Sequence, residues 1–189
     1  MINKIKKIIS KKNKTKIICL TAYSKNFATE VDKYADITLV GDSLGSVLYN
    51  YKTTRKVTLS NMIEHSKSVR MGIKKSLMVV DMPYRTYQNK KAALKNAIKI
   101  IKETKCDAVK LEGGSKIKKI VKYLVRNNVP VMGHIGVLPQ SVKGKFKYKG
   151  KVEREKKQLL NDANLLQDLG VFSIVLECVK SDTALMITK

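Results

Sequence analysis

A chain of 189 residues is long enough for one domain with a real core and too short for two comfortable ones. At 43% hydrophobic it is not disordered by composition, and no apolar run reaches the ~18 residues that a membrane helix needs. The net charge of +24 suggests a nucleic-acid binder, but only five basic residues are arginine, the lysines are spread along the whole chain, and no aromatic-rich RNA-binding signature interleaves with them; a lysine, isoleucine and asparagine excess of AT-rich origin accounts for the charge better.

In chain order, residues 1–16 form a basic segment in which lysines interrupt Ile2, Ile5, Ile8 and Ile9, which predicts a basic helix covering one end of the sheet. A secretory signal needs a continuous apolar core, so the chain reads as soluble and cytoplasmic. Strands are expected at residues 17–21, 37–40, 77–80, 108–111, 129–132 and 173–176, all rich in Val, Ile and Leu as in strands buried on both faces. Ser60, Met62, Ile63 and Glu64 suggest a helix in which His65 is a surface residue. Ala93, Leu94, Ala97, Ile98 and Ile101 repeat at helical spacing. So do Ile117, Ile120, Val121 and Leu124, with Ser115 as N-cap. Residues 141–151, with Gly144 and Gly150 among lysines and aromatics, read as a mobile loop. A last stripe of Leu159, Leu160, Ala163, Leu166 and Leu169 is closed by Gly170 as a C-cap. The alternation predicts a single α/β domain over 1–189 with a parallel sheet, and its six strands fit either an open sheet or an incomplete eight-stranded barrel. Cys19, Cys106 and Cys178 are scattered, form no C-x-x-C pair, and read as small hydrophobes.

Four of the six strand candidates run into an acid: Asp42, Asp81, Glu112 and Glu177; a fifth ends in Gly133-His134. One Asp after a strand is commonly a cap or turn former. Four carboxyl groups at the ends of parallel strands converge on one face, where ligands of such folds bind. Like charges so crowded favour a cation, and an all-oxygen donor set favours a hard one, Mg2+ ahead of Mn2+ or Ca2+. In Val40-Gly41-Asp42-Ser43-Leu44-Gly45 the glycines let backbone approach a ligand closely. Lys110 lies two residues before Glu112, on the same side of its strand, and Gly113-Gly114 then open a helix whose N-terminus favours an anion. His134 lies between glycines and reads either as a site residue or as a packed core histidine.

These strings resemble the ketopantoate hydroxymethyltransferase family. The motifs that carry the resemblance are Thr21-Ala22-Tyr23, the Val40–Gly45 string, Asp81-Met82-Pro83-Tyr84, Val109-Lys110-Leu111-Glu112-Gly113-Gly114, Gly133-His134-Ile135-Gly136 with Val137-Leu138-Pro139-Gln140-Ser141 after it, and Leu176-Glu177-Cys178-Val179, in family order across nearly the whole chain. The resemblance implies a (β/α)8 TIM barrel of the phosphoenolpyruvate/pyruvate superfamily, of which six βα units are present here. It implies transfer of a hydroxymethyl group from 5,10-methylenetetrahydrofolate to the 2-oxoacid 3-methyl-2-oxobutanoate in pantothenate and coenzyme A synthesis, with Mg2+ as cofactor and a homo-oligomer, a decamer in the family. Asp42 and Asp81 would bind Mg2+, Glu112 would hold a metal-bound water, Ser43, Lys110 and Asp81 would contact the substrate, and Glu177 would be the general base, with His134 and Tyr23 as further candidates. His134 would steady the incoming or product oxygen. The sequence departs from the family at Ser24, where Asp is common, and in the recast stretch 144–151, and the barrel's strands seven and eight are not among these residues. Two other readings stay open: a Mg2+-dependent lyase or mutase on another 2-oxoacid, and an inactive basic fragment that binds nucleic acid.

Overall fold

The computed structural model describes residues 2–142, 144 and 146–189, with the Ile2 side chain excepted. It divides into two compact units, Met1–Lys110 and Leu111–Lys189.

The first unit begins with helix α1 (Ile2–Ile9), followed by β1 (Cys19–Thr21), α2 (Lys25–Val31), β2 (Ile37–Val40), α3 (Leu44–Tyr49), α4 (Leu59–Gly72), β3 (Leu77–Asp81), α5 (Lys90–Thr104) and β4 (Ala108–Glu112), whose last two residues belong to the second unit. Strands β1 to β4 pair in sequence order, every pair parallel. All residues of β3 and β4 are buried, whereas Cys19 and Leu20 of β1 are exposed. The start of α4 is fixed by a reciprocal pair of hydrogen bonds between Thr58 and Asn61, not by Ser60. In α5, Asn89 caps the first turn, and the buried face runs Ala93, Ala97, Ile100, Thr104. That face carries Ile100 where the sequence suggests Ile98, which is exposed, because positions 93, 97, 100 and 104 follow the helical repeat more closely.

The second unit holds α6 (Lys118–Arg126), β5 (Val131–Gly136), α7 (Glu153–Asp168), β6 (Ser173–Glu177) and α8 (Ser181–Thr188). Strands β5 and β6 pair in parallel, with His134 opposite Val175 and Gly136 opposite Glu177. Helix α7 buries Leu159, Ala163 and Leu166, and Gly170 follows its end at φ +86°, the left-handed turn that a C-terminal glycine supplies. The expected loop falls in part on Lys143 and Lys145, which lie outside the described residues. From Lys149 onward the segment is tied down: the Lys149 N–H donates to Cys178 O, the Lys180 N–H to Lys149 O, and the Thr183 hydroxyl to Gly150 O.

Acids also secure the entrances of the first unit's strands. Asp36 accepts the Ile18 N–H, and Asp107 accepts the Met78 N–H at 2.9 Å. Asp32 accepts the N–H groups of Lys74, Lys75 and Ser76 and the Ser76 hydroxyl, at 2.8 to 3.1 Å. The basic helix α1 meets this end: Lys4 Nζ donates to Ser76 O at 2.8 Å, and Lys11, just beyond the helix, pairs with Asp36 at 2.6 Å. Burial alone would push the Asp32 carboxyl up, but the hydrogen bonds from Ser76, Lys74 and Lys75 outweigh it and hold the group below its ordinary 3.8. A folded-state value below the unfolded one gives stability that is present above pH 3.8 and is lost as pH falls through the lowered value. Asp32→Asn is therefore expected to cost about 1–3 kcal/mol near neutral pH in urea denaturation. The variant's stability should also change less than the wild type's between pH 5 and the acid limit. Parallel pH profiles would contradict this role.

Candidate active site

Each unit gathers its own share of the expected residues. In the first, parallel pairing places Asp81 of β3 directly beside Lys110 of β4, so both side chains leave the same face of the sheet. The ammonium of Lys110 stands 3.1 Å from Asp81 Oδ1, and both side chains are more than nine-tenths buried. The Asp42 N–H donates to Asp81 Oδ2 at 3.1 Å, which brings the end of β2 against the end of β3. Ser43 follows, and its hydroxyl meets the Tyr23 phenol at 2.8 Å. Burial raises the Tyr23 pKa; the Ser43 bond opposes this, and the charges of Asp81 and Asp42 add to it. A phenol kept protonated can donate to Ser43 Oγ, which leaves the serine's own proton for an incoming anion.

Tyr23 is itself held by a residue that sequence reading placed on the surface. His65 is half-buried, with Nδ1 at 2.8 Å from Tyr23 O and Nε2 at 2.7 Å from the Tyr49 hydroxyl. A carbonyl only accepts, so Nδ1 donates to Tyr23 O, while Nε2 shares a hydrogen bond with the Tyr49 hydroxyl. The His65 ring therefore ties α3 and α4 to the segment that carries Tyr23.

In the second unit His134 lies inside β5, two residues before its end, where the sequence suggests that the strand itself ends at Gly133-His134. The ring is fully buried, with Nε2 3.2 Å from Glu177 Oε2 and Nδ1 3.9 Å from Glu112 Oε1. The pairing of β5 with β6 explains the first contact: Glu177 stands opposite Gly136, which has no side chain, and the nearest side chain on that face of β5 is His134. The Glu177 side chain is 37% exposed against 1% for His134, so of the two it is the carboxylate that a substrate can reach. Glu112 Oε2 accepts the Gln140 N–H at 3.0 Å.

Ser115 is not an N-cap. Residues Ser115–Ile117 form a single 3-10 turn before α6, and the Ser115 N–H donates to Asp162 Oδ1 at 2.7 Å. The anion at this Gly-Gly turn is thus the protein's own, and a Cβ on Gly114 would lie 2.1 Å from the Asp162 carboxyl carbon. Of the cysteines, Cys106 alone is the buried hydrophobe expected, its thiol pushed up to about 11 chiefly by burial; Cys19 and Cys178 are exposed.

Mg2+ keeps several waters and takes one or two carboxylates from a protein. Asp42 and Asp81, at strand ends joined by the Asp42 N–H on Asp81 Oδ2, are the two carboxylates of the expected donor set. Among the described residues no three His, Cys, Asp or Glu side chains form a group that could hold a metal ion. No helix among those residues is long and apolar enough to cross a membrane.

The profile of the family described as ketopantoate hydroxymethyltransferase matches residues 2–189. A 3-methyl-2-oxobutanoate hydroxymethyltransferase of Pelagibacter ubique is 65% identical over all 189 residues, which span 73% of that protein. One from Nitratiruptor is 47% identical over 181 residues, 96% of this chain and 69% of the relative. Among solved structures, phosphonopyruvate hydrolase in complex with oxalate and Mg2+ matches 97% of this chain and 67% of its own, with a TM-score of 0.71 at 8% identity. A 2,3-dimethylmalate lyase of the PEP mutase/isocitrate lyase superfamily matches 98% and 64%, with a TM-score of 0.69 at 11% identity. At such identities the likeness is one of fold, and it places the βα units in the barrel fold expected from the sequence. With the family profile matched over residues 2–189 and site motifs on six strands, the chain belongs to the ketopantoate hydroxymethyltransferase family.

Proposed function

We propose that the chain transfers a hydroxymethyl group from 5,10-methylenetetrahydrofolate to 3-methyl-2-oxobutanoate, giving 2-dehydropantoate for pantothenate and coenzyme A synthesis. The observation that carries this reading is the exposed Glu177 carboxylate backed by the buried His134 ring at 3.2 Å, an acid–base pair open to substrate on one side only. The end-to-end family match favours transfer over a lyase or mutase reaction.

Glu177 takes the C3 proton of the ketoacid, and His134 steadies the carboxyl group that results. The electron pair released at C3 forms the new bond to the folate methylene carbon. In the overall exchange both carbon–nitrogen bonds that hold the methylene carbon to folate break, one replaced by the new carbon–carbon bond and the other by a bond to the oxygen of water. The C3 proton and one proton of that water end on the two folate nitrogens. Lys110 and Ser43 receive the ketoacid carboxylate, a charge-assisted contact that orients C3. Asp42 and Asp81 would hold Mg2+, and Glu112 would hold a water in place. Bound there, Mg2+ would act as a Lewis acid that draws charge from the keto and carboxylate oxygens and makes the C3 proton removable. The Mg2+ accompanying oxalate in the phosphonopyruvate hydrolase supports this choice of metal. The same reading has the protein working in the cytoplasm as a homo-oligomer.

The test needs no folate. The protein incubated with ketoacid and Mg2+ in deuterated water should remove the C3 proton signal, read by NMR, and chelation should stop the loss. A folded, Mg2+-loaded sample that leaves the signal intact would overturn the reading.

A further inference from the structure

Ser43 is exposed, yet the proposed chemistry asks its hydroxyl to meet the ketoacid carboxylate in one orientation. Local backbone holds it poorly, because α3, the helix that starts after Ser43, has six residues against the ~12 that an isolated helix needs. The near end of α3 is packed: Leu44 and Gly45 are buried, and a Cβ on Gly45 would lie 2.6 Å from Val57 Cγ2. Its far end, from Ser46 to Tyr49, is exposed. There the Tyr49 hydroxyl meets His65 Nε2 at 2.7 Å, with the phenol edge-on to the imidazole and ring centroids 5.7 Å apart.

His65 thereby closes a ring. Its Nδ1 donates to Tyr23 O at 2.8 Å, and the Tyr23 phenol meets Ser43 Oγ at 2.8 Å. Helix α3 then runs on from Ser43 to Tyr49, whose hydroxyl returns to Nε2 of the same imidazole. We infer that His65 is a positioning residue for the ketoacid carboxylate. One side chain fixes both the residue whose phenol holds the Ser43 hydroxyl and the helix that follows Ser43. The inference rests on the transferase reading, in which Ser43 receives that carboxylate. His65 acts through Ser43 rather than on a reacting atom, by setting in advance an orientation that the ligand would otherwise have to impose.

Calorimetric titration of the full chain with 3-methyl-2-oxobutanoate and Mg2+, without folate, tests this. His65→Phe, which keeps an aromatic ring and removes both nitrogens, should weaken ketoacid binding roughly tenfold, and Tyr49→Phe, which deletes one hydroxyl, about threefold. In a Ser43→Ala background either change should alter the affinity by less than about twofold, because the group they position is gone. Deuterium exchange at saturating ketoacid should stay within about twofold of the wild type in both single variants, so that the loss falls on KM and not on kcat. Should His65→Phe fail to fold, Tyr49→Phe carries the same cycle, since it removes one oxygen from an exposed residue. Unchanged affinity in the single variants, a loss as large without the Ser43 hydroxyl as with it, or a loss confined to kcat would overturn the assignment. A wild type that binds no ketoacid overturns both this role and the transferase reading. Binding without C3 exchange counts against the transferase reading alone, whereas exchange with unchanged affinity in the variants counts against His65 alone.

Discussion

Glu177→Gln is expected to slow deuterium exchange at C3 of the ketoacid about 100- to 10,000-fold, the span typical of a lost general base. Glutamine keeps the shape of the side chain and can still hydrogen-bond to His134 Nε2, which lies 3.2 Å from the carboxylate, so the strand ends should stay in place. Mg2+ affinity should persist, because the proposed metal carboxylates are Asp42 and Asp81. Exchange by NMR and metal binding by titration on one sample separate the two roles. A variant that exchanges at the wild-type rate would remove Glu177 from the reaction.

Lys110→Met is expected to destabilise the protein by about 3–5 kcal/mol, because it leaves Asp81 as a buried charge without its ammonium. The pair is 3.1 Å apart with less than a tenth of either side chain exposed, so solvent screening does little to soften the loss. The diagnostic is a double-mutant cycle in urea. Asp81→Asn added to Lys110→Met should restore much of the lost stability, since no unpaired charge remains. Strict additivity of the two single changes would show that the pair is not coupled.

Much of the framework was legible in the sequence, because runs of Val, Ile and Leu with helical stripes between them leave few alternatives to a parallel α/β fold. The acids after the strands were legible for the same reason, since position along a strand fixes which end a residue occupies. Strand β5 was misjudged at its end: Gly133, His134 and Gly136 resemble turn residues locally, and pairing with β6 over five positions holds them as strand. Helices α2 and α3, with seven and six residues, are too short for periodicity to stand out. His65 and Ser115 were misread because their partners lie far off in sequence. Tyr23 is 42 residues from His65 and Asp162 is 47 from Ser115, distances over which local patterning carries no information. Asp32, Asp36 and Asp107 were invisible as clamps because each binds backbone amides, which every residue but proline offers alike.

Those clamps bear on fidelity of assembly. A parallel pair that slips by one residue turns every side chain of the slipped strand to the opposite face. The apolar content of β3 and β4 resists such a slip poorly, since all ten positions are buried whichever way they point. The Asp107 carboxylate on the Met78 amide distinguishes the correct alignment at one end of these strands, and the Lys110–Asp81 pair distinguishes it at the other. A β-sheet uniform enough to be misthreaded is thus proofread by two polar contacts, and the one at the strand entrances ensures that the chemical residues emerge on the same side.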